Sequence, residues 1–276
     1  MPDLRLRWRR GAPRLRRQGR TGRRRMRITP RWWIGVLPVP LYGAWVLGTA
    51  LYQGIDYAEI GAPLHLLPGL IMPLTIAALA LIGFLGWSGW TKPVFFEARR
   101  VHRPLFLVLL LALMAGCVAL NIGAVRVAAI DPRYLGMLAL AMLLVGFCEE
   151  VLTRGVLLVG LRGSCRSEVL VWFWSSLVFG AMHAMNGLLG VGWMALVQVL
   201  FAFCAGTCLY LIRRLTGHLF VPILVHAAWD FSTFVPAAGG APSPAGAVGL
   251  LMVTHLASLI LVALFFRHRT PAASRA

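Results

Sequence analysis

Charge is scarce in this chain. Only 13% of its 276 residues are Asp, Glu, Lys or Arg, against 59% hydrophobic residues, and the mean hydropathy is +0.77. A soluble domain of this length has a surface to cover with polar groups, so this composition excludes an ordinary soluble fold. The sequence also lacks a repeat of fixed period and any long polar linker, which makes it a single domain. Its cysteines, Cys117, Cys148, Cys165, Cys204 and Cys208, have neither metal-site spacing nor the pattern of a disulfide framework, so buried free thiols are expected. Acids are rarest of all, nine against 27 basic residues, for a net charge of +18. That imbalance could suggest nucleic acid, but its distribution argues against such a partner. Thirteen arginines crowd residues 1–31, and most of the rest fall in short connections between apolar runs. This is the pattern that orients a membrane protein.

What the chain does have is long apolar runs. Eight candidate spans, at about 32–52, 66–87, 104–125, 134–160, 168–184, 191–212, 217–236 and 245–266, are each able to cross a ~30 Å hydrocarbon core or nearly so. The expected fold class is therefore all-α, a polytopic integral membrane bundle of about eight transmembrane helices spanning 32–266. Pro38, Pro40, Pro68 and Pro73 fall in the first two spans, where kinks are expected. The stretch from Trp32 to Tyr52 is long for a cleaved signal peptide, so an uncleaved first span is expected, with Met26 as an alternative start. The arm 1–31 and the tail 267–276 are expected to be basic, cytoplasmic and solvated, the arm with affinity for anionic lipid headgroups. Arginine-bearing segments (88–103, Arg162/Arg166, Arg213/Arg214, Arg267/Arg269) alternate with loops 53–65, 126–133, 185–190 and 237–244, whose basic residues are Arg126 and Arg133. Both termini are thereby assigned to the cytoplasm, of a bacterial inner or plasma membrane.

Few ionisable residues lie well inside spans, where each costs several kcal/mol if it faces lipid. They fall into three groups. In LVGFCEEVLTRGVLL, Glu150 and Arg154 are four apart and share a helical face, so they can pair. Glu149 is turned about 100° away and can point into a cavity, where a carboxylate suits the work of a general base. A buried ion pair that merely fixes helix packing explains one glutamate but not two. The second group is His183, four residues after a Phe179 that is uninformative by itself, since aromatics fill apolar faces everywhere. A lone membrane histidine is often only a helix-packing hydrogen bond. The third is His226 with Asp230, again on one face, where the bland alternative is a rigidifying hydrogen bond. Two histidines and a carboxylate converging in a membrane cavity can activate water, with or without a metal. His255 stands apart and is expected to make a packing hydrogen bond with Thr254 or a neighbouring helix.

EEVLTR at 149–154, FGAMH at 179–183 and HAAWD at 226–230, in this order, resemble the motifs of the CAAX protease and bacteriocin-processing (Abi) superfamily, which includes the type II CAAX prenyl endopeptidases. The resemblance covers about residues 134–236. It implies an intramembrane endopeptidase in which Glu149 activates water with help from His183, Glu150 pairs with Arg154 and positions that base, and His226 with residue 230 stabilises the oxyanion. By residue type, Glu149, His183 and His226 could also serve as ligands of a divalent metal such as zinc. The substrate implied is a peptide or another membrane protein. Two positions depart from the pattern. Asp230 stands where many relatives have Asn, and an ionised Asp cannot donate to an oxyanion, so it would be protonated, orient His226 or help bind a metal. Thr153 stands where many bacterial relatives have an aromatic.

Other protease classes leave no trace: there is no His-Glu-x-x-His and no Gly-x-Ser-x-Gly. An ion-coupled transporter is a rival class, weakened by the absence of inverted repeats, and a non-catalytic scaffold or immunity protein is another. At ~1.5 Å per residue, His226 and Glu149 lie roughly 15–20 Å from the nearest cytoplasmic arginines, and His183 about 25 Å. The site is expected to open toward the cytoplasm, with His183 the deepest of its members.

Overall fold

The computed structural model describes residues 26–98 and 100–267. The expectations for the basic arm and tail fall, over residues 1–25 and 268–276, outside the described residues. Among those described, eight helices are long and apolar enough to cross a membrane: α1 Trp32–Gln53, α2 Pro63–Ser88, α3 Pro104–Gly123, α4 Pro132–Arg162, α5 Glu168–Leu189, α6 Met194–Thr216, α7 Phe220–Ala238 and α8 Ala245–Arg267. The chain is thus an all-helical multi-pass membrane protein. Lipid-facing side chains such as Leu79, Leu105, Leu196 and Leu256 are exposed, as expected of helices whose outer face meets hydrocarbon rather than water.

Local chemistry sets where these helices start and bend. Asp131 caps α4 by accepting from the Arg133 backbone N–H at 2.9 Å, with Pro132 at the first helical position. The prolines of the first two spans act where they sit. α1 is interrupted at Leu37, just before Pro38, and α2 takes a π-helical turn over Leu66–Ile71, around Pro68. Gly217 ends α6 in the left-handed region (φ +84°), which lets α7 start after a turn of only three residues.

Helices α4 and α7 lie against each other along much of their length, as do α5 and α6, and α3 lies behind α7 and α8. Two glycines permit these close approaches. A Cβ on Gly146 of α4 would sit 2.8 Å from the Ile223 carbonyl oxygen of α7, and one on Gly180 of α5 would sit 2.7 Å from the Val199 carbonyl oxygen of α6. The α4–α7 contact sets two of the three charged motifs side by side.

Candidate active site

Helix α4 changes register where the motif begins. It is α-helical over Pro132–Glu150, π-helical over Val151–Leu157 and α-helical again over Leu158–Arg162. Glu149 and Glu150 are the last two residues before that change. Their side chains separate as adjacent helical positions must. Glu150 is fully buried, and Arg154 NH1 donates to its Oε1 at 2.7 Å. Glu149 retains 16% side-chain exposure and lines a cavity of about 540 Å³, and its Oε2 makes no hydrogen bond to protein.

Arg154 is fully buried, and a buried guanidinium needs partners. Besides Glu150, NH1 donates to Thr153 Oγ1 at 2.8 Å, while Thr153 donates to the Glu149 backbone carbonyl at 2.6 Å. The guanidinium carbon lies 3.8 Å from the centre of the Phe179 ring, a cation–π contact that compensates for the unpaired Nε and NH2. Gly206 of α6 makes room for this stack: a Cβ there would approach NH2 to 2.9 Å and Phe179 to 3.2 Å. Phe179, uninformative as a lone aromatic in the sequence, therefore touches all three motifs. Its ring meets His183 and His226 edge-on, with centroids 5.1 and 5.7 Å away.

Glu150 has a second partner. His226 Nδ1 lies 3.1 Å from the same Oε1, so one carboxylate oxygen ties Arg154 to the histidine of α7. The other nitrogen, Nε2, faces Asp230 Oδ2 at 3.3 Å and Glu149 Oε2 at 4.0 Å. Asp230 thus lies where it can orient His226. His183 begins the 3-10 stretch that ends α5, and its Nδ1 lies 3.0 Å from the Phe179 carbonyl oxygen, which leaves Nε2 for the cavity. Glu149, His183, His226 and Asp230 all line the one cavity, together with Tyr42 of α1, which sequence reasoning missed because nothing near it in the chain is polar.

A metal held by Glu149, His183 and His226 fits this arrangement poorly. Among the described residues, no group of three or more His, Cys, Asp or Glu side chains is drawn together with metal-site spacing.

Two expectations need correction. His255 makes no hydrogen bond through Nδ1; it stacks on Phe201 with centroids 5.5 Å apart, while Thr254 donates to the Leu250 carbonyl. In an apolar bundle a ring face can satisfy an imidazole that finds no polar neighbour. Second, the cavity does not open toward the arginine-bearing loops. Residues 151–161 of α4 and 208–215 of α6 are buried on that side. Arg162, Arg213 and Arg214, assigned from the sequence to connections between spans, are gathered there around Glu97. Arg213 Nε donates to Glu97 at 2.8 Å and Arg162 NH1 at 3.0 Å, Arg214 also binds it, and Arg162 and Tyr210 bind Glu168. Burial opposes ionisation of Glu97, but Arg213, Arg162 and Arg214 hold its carboxyl below the usual carboxylate range. The cysteines are free, and all but the partly exposed Cys165 are buried.

Residues 131–232 match the family model described as type II CAAX prenyl endopeptidase Rce1-like. The match runs from the cap of α4 into α7 and includes Glu149, Glu150, Arg154, His183, His226 and Asp230. No curated protein and no solved structure matches the chain. Over these residues the chain is similar to the Rce1-like family, in keeping with the resemblance to the CAAX-type protease superfamily that the three motifs carry.

Proposed function

We propose that this chain is an intramembrane endopeptidase that hydrolyses a peptide bond with a water activated by Glu149. The observation that carries this reading is the division of labour between adjacent glutamates: Glu150 is fully buried and bound to Arg154, whereas Glu149 lines the cavity, partly exposed, with its Oε2 making no hydrogen bond to protein and lying 4.0 Å from His226 Nε2. A purely structural ion pair would need only Glu150.

In the proposed reaction Glu149 takes a proton from water as the oxygen attacks the scissile carbonyl carbon. The carbonyl π electrons move to its oxygen, and His226 Nε2–H donates to that oxyanion. The proton on Glu149 passes to the amide nitrogen as the C–N bond breaks, releasing one amine and one carboxylic acid and returning Glu149 to its starting form. His183 borders the same space and assists the proton transfer. Glu150 holds His226 through Nδ1, which leaves Nε2 directed at the reacting centre. Asp230, 3.3 Å from Nε2, orients the His226 ring, a role open to a carboxylate even though it cannot itself donate when ionised.

The direct test compares peptides in membranes of cells carrying wild type, Glu149→Ala or His226→Ala by mass spectrometry. A peptide lost or gained in both variants supports proteolysis; identical profiles would overturn it. A scaffold would keep its cellular phenotype in Glu149→Ala, whereas a protease would lose it.

A further inference from the structure

The cavity has two unlike ends. Toward the arginine-rich side it stops at Glu149, His226 and Cys208, beyond which lie the buried segments of α4 and α6 and the Glu97 ion network. Toward the other side it is lined by Tyr57, Asn186, Gln198 and Thr233, all partly exposed. Three of these are linked: Asn186 Nδ2 donates to Gln198 Oε1 at 3.0 Å, and Gln198 Nε2 donates to the Tyr57 hydroxyl at 2.9 Å. Tyr57 lies in the segment between α1 and α2, Asn186 in the 3-10 stretch that ends α5 and Gln198 in the second turn of α6, so the rim joins three elements at the arginine-poor end.

The rim chemistry suits a peptide backbone. Two primary amides and a phenol offer donors and acceptors without a full charge, which is what N–H and C=O groups in an extended strand need. Burial raises the Tyr57 hydroxyl above its ordinary pKa, so it remains a neutral donor with its proton uncommitted by the bond from Gln198. The opposite end offers no such approach, because opening it would separate Glu97 from three arginines.

We infer that an extended peptide segment reaches Glu149 from the membrane face opposite the arginine-rich loops, passing over a rim of Tyr57, Gln198 and Asn186. With those loops in the cytoplasm, the segment is one that emerges on the non-cytoplasmic face, such as the end of another membrane protein's span. The nature of the entering chain rests on the endopeptidase reading; the direction of entry does not.

The test is cysteine accessibility in the full chain. Native Cys165, partly exposed in the turn between α4 and α5, reports the arginine side. In a Cys165→Ser background, Leu188→Cys reports the other face, and Gln198→Cys and Thr233→Cys report the rim. A charged, membrane-impermeant thiosulfonate is added to intact cells and to inverted membrane vesicles. Leu188→Cys and at least one rim cysteine are expected to react in intact cells, with Cys165 of the wild type reacting only in inverted vesicles. Rim cysteines that react only in inverted vesicles, or from neither side, would overturn the route, as would reaction of Leu188→Cys on the Cys165 side. Because the rim is read by labelling and not by cleavage, failure of the route and failure of the protease reading are separate results. Thr233→Cys keeps the test open if Gln198→Cys disrupts the rim.

Discussion

Neighbouring carboxylates one position apart on α4 meet opposite environments, and substitutions should separate their roles. Glu149→Gln keeps the shape of a side chain that makes no protein hydrogen bond through Oε2, so it should abolish peptide cleavage, by ~10²–10⁴-fold or more, while the melting midpoint in detergent stays within a degree or two of wild type. A large fall in the midpoint would mean that Glu149 is structural. Arg154→Met should behave in the reverse order, since it strands the buried Glu150 carboxylate: about 3–5 kcal/mol of stability is at stake, visible as a lowered thermal midpoint before any assay of cleavage. Asp230→Asn should retain cleavage, because an amide can donate where the carboxylate supports His226, whereas Asp230→Leu should lose it with little change in midpoint. At this scale much was legible. The spacing of four between Glu150 and Arg154 announced their pairing, but the tie from Glu150 to His226 spans 76 positions and no local pattern encodes it. Phe179 was illegible for a related reason: an aromatic in an apolar helix looks the same whether it faces lipid or a guanidinium.

Elements matter through the distances at which they pack. Gly146 holds α4 against α7, and a side chain there meets backbone, which cannot swing aside. Gly146→Val should therefore cost roughly 1–3 kcal/mol and, by moving Glu150 from His226, reduce cleavage more than that loss of stability explains. Comparing activity per folded molecule with the melting midpoint distinguishes the two effects. Gly206→Ala is a milder probe, because the atom it meets is the end of the Arg154 side chain. The π-helical turn after Glu150 belongs to this scale as well. The apolar run at 134–160 placed α4 closely, but it carries no mark of a local change in hydrogen-bond register.

For the molecule as a whole, the arginine-side ion network is the lock that closes one end of the bundle. Glu97 has its carboxyl held below the usual carboxylate range in the folded state, so its contribution to stability is complete above the ordinary pKa of about 4.3 and is lost as pH falls through the lowered folded value. Thermal midpoints in detergent should thus fall between neutral pH and about pH 3, and Glu97→Gln should lower the midpoint at pH 7 while flattening part of that acid dependence. An unchanged acid slope in Glu97→Gln would assign the dependence to other carboxylates. The same network explains why Arg213 and Arg214, assigned from the sequence to a connection between spans, are buried. Sequence shows how many charges a loop carries, but not that a glutamate between α2 and α3 reaches arginines over a hundred positions away.

Composition and the length of the apolar runs marked the chain as a multi-pass membrane protein with the eight spans found among the described residues, because apolar length and the scarcity of charge are properties of each segment taken singly. The three motifs likewise marked the candidate residues, since helical spacing places partners four apart on one face. Which end of the cavity is open, what ties Glu150 to His226, and what lines the rim were decided only by the tertiary fold. Those features arise between helices, from glycine-permitted approaches and from hydrogen bonds among residues such as Tyr57, Asn186 and Gln198, far apart in the chain and ordinary in their local sequence.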